Sequence, residues 1–353
     1  MGDPETRIEV SHSADSADVD DPDFERKKKQ VFEYARDKST YEKGTPTTIL
    51  RNIFQPLSEP QIELMCQEKD EKGNTALHCA GKAGNLEICQ FLYKKGANIV
   101  APGQNAMTPL QFASRYGCEE NAEGVWTCME WIMKEYAAKH KEFWQRLRTV
   151  IPGRKNENEV LYDICKKDKY GFTILHHAIQ NTNWAENTYV VKKLFQLDDF
   201  KITETDKQGN TSLHMAAQID KTENHKIFDV FFEGLKSNKH MDNNDIFLHG
   251  AQPHYIDYLS NLKHCIQAVN LHGKTPLHIA CDVGNPESVE QLISCMRELR
   301  VNTATMKKII NLPDSNGHTP LHLAIESGNV DLMKILLAEG AQVSEETYKS
   351  AAR

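Results

Sequence analysis

Residues 316–329 read NGHTPLHLAIESGN, and close variants of this stretch return along the chain. His322 stands in the middle of it. A histidine that recurs at a fixed place is a metal ligand, a catalytic base or a structural bolt. Which of these it is decides whether the protein performs chemistry or holds other molecules.

Aligned on its threonine, the segment has counterparts in GNTALHCAGKAGN from Gly73, AMTPLQFASRYG from Ala106 and GFTILHHAIQ from Gly171. GNTSLHMAAQ from Gly209 and GKTPLHIACDVGN from Gly273 complete the set. The threonines are Thr75, Thr108, Thr173, Thr211, Thr275 and Thr319; the first interval is 33 residues, and two others (65 and 64) are close to twice that. A degenerate copy, IFLHGA from Ile246, places Leu248 between Leu213 and Leu277.

Each unit is legible as local chemistry. In DEKGNTALHCAGKAGNLEICQFLYKKGAN (70–98), Asp70 and Gly73 read as a tight turn in which glycine supplies a positive φ. Thr75 is placed to cap a helix. Pro109, Pro276 and Pro320 fill the next position in three copies, where a missing N–H is harmless. A first helix turns Leu77 and Ala80 inward and ends near Gly84; a second carries Ile88, Phe91 and Leu92 at helical spacing, and Gly96 stops it. Neither helix can bury its apolar stripe alone, so stability must come from stacked neighbours.

A period near 33 built on T-P-L-H-x-A resembles the ankyrin repeat, over about residues 65–342. The resemblance implies an all-α solenoid of helix-turn-helix units with β-turn fingers. It also implies that His78, His176, His214, His249, His278 and His322 are structural, bonding the threonine hydroxyl and a neighbouring repeat's backbone. Gln111 replaces the histidine once. An amide can donate and accept hydrogen bonds, which favours a bonding role over metal ligation. A zinc site needs ligands converging at about 2.0 Å, whereas one histidine per stacked unit makes a ladder. No metal or other cofactor is expected.

The chain departs from the pattern in places. Residues 1–25 hold nine acids against Arg7, which accounts for the whole net charge of -8 and has the composition of a disordered tail. Residues 26–64 read as a helical lead-in. A Trp-rich basic insertion is expected at about 118–160, and the degenerate copy at about 242–269. Within the insertion, 139–155 is basic and amphipathic around Phe143 and Trp144. It reads either as a calmodulin-type or membrane-surface segment, or as the second helix of a lengthened repeat. The last unit keeps an apolar pattern on the side a further repeat would cover, leaving 343–353 as a short cap or linker.

The body outside the acidic tail is electrically neutral, which gives no case for nucleic acid. No stretch approaches the roughly 18 apolar residues of a membrane span. There is no signal-peptide core, and the nine cysteines contain no C-x-x-C pair, so a reducing cytoplasmic setting is expected, with nuclear entry open. G-x-S-x-G, P-loop, H-E-x-x-H and dinucleotide motifs are missing, and the chain is read as a non-enzyme.

The function expected is a protein-binding scaffold or adaptor. By resemblance, targets dock on turn tips and on the concave face of the first helices. The positions so implied include Lys72, Asn74, Arg115, Tyr116, Tyr170, Phe172, His272 and His318. Arg115, Tyr116, Tyr170 and Phe172 stand out because binding hot spots favour such residues. Two alternatives share these features: the cytoplasmic ankyrin array of a transient receptor potential channel, and an ankyrin effector of an intracellular bacterium.

Overall fold

The computed structural model describes residues 22–37, 45–117, 121–135, 167–180, 188–195, 202–219, 225–236 and 253–343. Its helices are α1 (Pro22–Arg36), α2 (Thr45–Phe54), α3 (Glu59–Gln67), α4 (Ala76–Ala83), α5 (Leu86–Lys94), α6 (Pro109–Tyr116) and α7 (122–135). There follow α8 (Ile174–Ile179), α9 (Thr188–Phe195), α10 (Ser212–Gln218), α11 (His225–Lys236) and α12 (Pro253–Gln267). The last are α13 (Pro276–Val283), α14 (Pro286–Glu298), α15 (Thr303–Ile310), α16 (Pro320–Glu326) and α17 (Val330–Ala338). Among the described residues the only β pairing is two isolated bridges, Lys69 with Thr75 and Thr205 with Thr211.

The same local chemistry starts every inner helix. Each threonine is extended, and its side chain and the residue three later cap the helix reciprocally. Ahead of it, a finger turns on one Asp or Asn whose Oδ1 accepts two backbone N–H bonds. Asp168 takes those of Tyr170 (2.8 Å) and Phe172 (2.9 Å), and Asn270 those of His272 (2.9 Å) and Lys274 (3.0 Å). Five fingers are built in this way, on Asp70, Asp168, Asp206, Asn270 and Asp314. The finger before Thr108 lacks that residue; Gln104–Ala106 form a 3-10 turn instead, with Asn105 and Ala106 at positive φ.

The inner helices α4, α6, α8, α10, α13 and α16 stack in that order, each on the next. α1 lies on α4 and α2 on α5, so the pair caps the stack's first face without a finger of its own. α1 starts at Pro22, ahead of the expected boundary, with Asp23 and Glu25 in its first turn. The outer layer comprises α5, α7, α9, α11, α14 and α17. Phe54 meets Phe91 edge-on at 5.4 Å, and Phe195 meets Phe231 at 5.0 Å. A single apolar core runs from Phe24 to Leu336.

Two expectations need correction. The Trp-rich insertion does not begin at 118, because α7 is the outer helix of the second repeat. It buries Val125, Cys128, Met129 and Ile132, sets Cys128 Sγ 3.8 Å from Cys89 Sγ, and packs Trp131 edge-on against Tyr93 at 5.4 Å. Its 3- and 4-residue apolar spacing is that of an ordinary repeat helix. Residues 139–155 lie outside the described residues.

Nor, among the described residues, does an inner helix stand between the units of Thr211 and Thr275. α10 packs directly on α13, and the Leu271 N–H donates to the Gln208 carbonyl (2.9 Å), joining the two fingers. The site where His249 would form a rung is therefore filled by the 270–274 finger. His249 itself lies outside the described residues, whereas α12, within 242–269, packs on α13 and α14.

Gly84 and Gly284 close equivalent inner helices with φ of 76° and 80°. A Cβ on Gly84 would stand 2.6 Å from Asn121 Nδ2 and 2.7 Å from the Val125 nitrogen, but on Gly284 nothing is nearer than 3.7 Å. Gly284→Ala should therefore cost about 1–2 kcal/mol of backbone strain, and Gly84→Ala clearly more. Urea denaturation of the two variants gives the comparison.

Candidate partner-binding surface

The recurrent histidines are buried hydrogen-bonding groups. In His78, His176, His214 and His278, Nδ1 accepts the N–H of the capping threonine at 3.1–3.2 Å and lies 2.8–2.9 Å from its hydroxyl. With Nδ1 accepting, Nε2 carries the proton. It donates to Met107 O (3.0 Å), Asn210 O (3.2 Å), Lys274 O (3.0 Å) and Leu312 O (2.8 Å) respectively, each on the following unit. His322 makes the same two contacts to Thr319, at 3.2 and 2.8 Å. In the second unit Gln111 Oε1 accepts the Thr108 N–H at 2.8 Å, reproducing the acceptor role of Nδ1.

Burial, opposed by the carbonyl contacts, pushes the pKa of His78, His176 and His214 down to about 4. Among the described residues no group of three or more His, Cys, Asp or Glu could hold a metal. The described cysteines are buried free thiols, and burial raises Cys66 and Cys79 to about 11, far from a reactive thiolate.

His177, beside the ladder, is a buried ring in a core position that Cys79, Phe112, Met215, Ile279 and Leu323 occupy in the other units. Its Nε2 is 3.2 Å from Asp168 Oδ2. Burial lowers the His177 pKa. For Asp168 burial acts upward, but the adjacent His177 ring and the Phe172 and Tyr170 N–H bonds outweigh it and the carboxyl ends lowered.

The side chains named from sequence fall into three groups. Tyr170, Lys72 and His272 are exposed at finger tips. Arg115, Tyr116, Phe172 and His318 are half-buried. Asn74 is not a surface residue: it is 1% exposed, and its Oδ1 accepts the Gln104 N–H (3.0 Å), tying the first finger to the second. It is removed from the binding set, since its amide is consumed by stacking.

Arg115 and Tyr116 are brought together with Lys82. The Arg115 and Lys82 cations each lie 5.9 Å from the Tyr116 ring centre, and Arg115 donates to Gln180 Oε1 at 2.6 Å. Phe172 packs inward, stacked on His176 (6.0 Å) and edge-on to His177 (5.6 Å), while Tyr170 stays 47% exposed under the Lys169 ammonium at 4.7 Å. His318 Nδ1 stands 4.0 Å from Glu326.

Sequence reasoning missed Leu271, which is 74% exposed at a finger tip. The other units carry Glu71, Gln104, Lys169, Lys207 and Ser315 there, so one apolar residue in a polar column was the available signal.

A family model described as ankyrin repeats, in three copies, matches residues 48–125 and 185–347, more than half of the chain. The chain belongs to the ankyrin-repeat family. The family model passes over the 168–172 finger and α8, which the stack nevertheless places as a full unit. Mouse synphilin-1 is 29% identical over 125 residues, covering 32% of this chain and 13% of that protein. Human ARF GTPase-activating protein GIT1 is 26% identical over 158 residues, covering 45% of this chain and 17% of that protein. The aligned part thus spans less than a fifth of either relative. The repeat is a protein-interaction module, and no described helix is long and apolar enough to cross a membrane.

Two outcomes test the ladder. A histidine at about 4 in the fold and about 6.5 unfolded binds its proton more readily in the unfolded chain. Stability should therefore be complete above about pH 6.5 and fall towards pH 4, by up to about 3 kcal/mol per buried histidine. Urea midpoints from pH 7 to 4 measure the slope. Replacing His176 by Gln, as nature does at 111, should cost about 1 kcal/mol. His176→Leu leaves the Asn210 carbonyl and the Thr173 N–H without these partners and should cost about 3.

Proposed function

We propose that the chain is a non-enzymatic scaffold or adaptor that binds protein partners through its finger tips and concave helical face, in a reducing compartment. The observation that carries this reading is the ridge formed by the third to sixth fingers. The Lys207 N–H donates to Tyr170 O (3.0 Å), Leu271 N–H to Gln208 O (2.9 Å), and Ser315 N–H to His272 O (3.0 Å). Exposed Tyr170 and Leu271 therefore project from a backbone already fixed by cross-finger bonds. Little backbone entropy remains to be lost on binding, and a tyrosine on the third finger with an aliphatic anchor two fingers further along the same ridge suits a protein hot spot. The channel-segment and bacterial-effector alternatives draw no support from the two relatives above.

Quantitative capture from cell extract on the immobilised whole chain tests the proposal. Tyr170→Ala combined with Leu271→Ala should reduce recovery of specifically bound proteins at least five-fold, with the melting temperature shifted by no more than about 2 °C. Phe172→Ala, which removes packing from His176 and His177, should lower the melting temperature instead. Unchanged recovery by the Tyr170/Leu271 variant would refute the tip ridge as the binding surface.

A further inference from the structure

The residue seven positions after each capping threonine lies at the end of an inner helix, on one concave line along the stack. Read in stacking order, it is Lys82, Arg115, Gln180, Gln218, Asp282 and Glu326. All six are exposed or half-buried. The column thus runs from two cations through two amides to two acids, and the stacking order preserves that gradient in space.

Its two ends are not equally available. Asp282 is held by Lys274 Nζ at 2.5 Å, so one of the two acids already has a cation within the fold, while Glu326 stands 4.0 Å from the His318 ring. At the other end, the named contacts of Lys82 and Arg115 are the Tyr116 ring and the Gln180 amide oxygen. No carboxylate among the described residues pairs with either cation. Gln180 holds one nitrogen of the Arg115 guanidinium, and both cations lie within 5.9 Å of the Tyr116 ring centre. A fixed, planar guanidinium beside an aromatic face is suited to a carboxylate.

We infer that the concave face is polarised, and that its first two repeats take an extended acidic segment of a partner protein, Lys82 and Arg115 each receiving a carboxylate across Tyr116. This rests on the interaction-module reading above and gives it a partner chemistry. Stacked helices lie about 8–10 Å apart, and an extended chain advances about 3.3 Å per residue. The two carboxylates would then be about three residues apart. A segment crossing all six repeats would be roughly 15 residues long, with its acids gathered at one end.

Selection of a displayed library of random 15-residue peptides on the whole chain tests this. Selected peptides should be enriched in Asp and Glu, spaced about three residues apart near one end. Their affinity, measured by fluorescence anisotropy, should fall at least ten-fold in Lys82→Glu/Arg115→Glu, and selection on that variant should favour Lys and Arg instead. Lys82→Met/Arg115→Met should lose the acidic preference without gaining the basic one. Lys94→Glu/Lys263→Glu, away from the inner helices, should change affinity less than two-fold. The inference is overturned by peptides without an acidic preference, by the same preference in the charge-reversed variant, or by no saturable binding. If Tyr170→Ala/Leu271→Ala still lowers capture from extract in those cases, the scaffold reading survives and only the charge assignment fails.

Discussion

The bond from a buried histidine to a carbonyl of the next unit is the constraint on which the rest of this structure depends. Inside one unit the histidine closes the cap of its own helix by accepting the threonine N–H; its other nitrogen then reaches into the neighbour. A helix of six to eight residues, as the inner helices are, is too short to persist alone in water. Here its start is capped internally, its apolar side is buried by adjacent units, and its position is fixed by a directional bond. Because both nitrogens are used in a dry setting, the ring must stay neutral. The same device that joins the repeats therefore makes the stack sensitive to acid.

That rule also explains how the chain tolerates long intervals. Thr211 and Thr275 are 64 residues apart, yet His214 bonds Lys274 O as His278 bonds Leu312 O across a shorter interval. The fingers bond to one another over the same junction. Extra chain between units leaves the stack unbroken provided the next finger returns to the ladder. Loop closure entropy grows slowly with length, which makes such interruptions inexpensive beside the buried core.

Rigidity at the fingers gives the surface its character. In five of the six fingers the Oδ1 of one Asp or Asn is committed to two backbone N–H groups, so variation is confined to the side chains around it. In this chain that freedom is spent on Tyr170 and Leu271 at the tips and on a column of changing charge along the inner helices. The two features use different chemistry and lie on different parts of the unit.

The sequence by itself determined the repeat, its caps and its turns, because these are set by residues within four positions of one another. It also showed that the recurrent histidine belongs to a one-per-unit ladder. Tertiary structure alone decided which candidate residues reach solvent. Asn74 sits in a variable turn yet is buried, because a second finger lies against it; Phe172 turns inward on two histidines, while Tyr170, two residues earlier, turns out. It also decided that 122–135 is an ordinary outer helix, and that no rung separates Thr211 from Thr275. Apolar spacing marks which face of a segment will be buried, but which neighbour buries it is settled only when distant parts of the chain compete for the same surface.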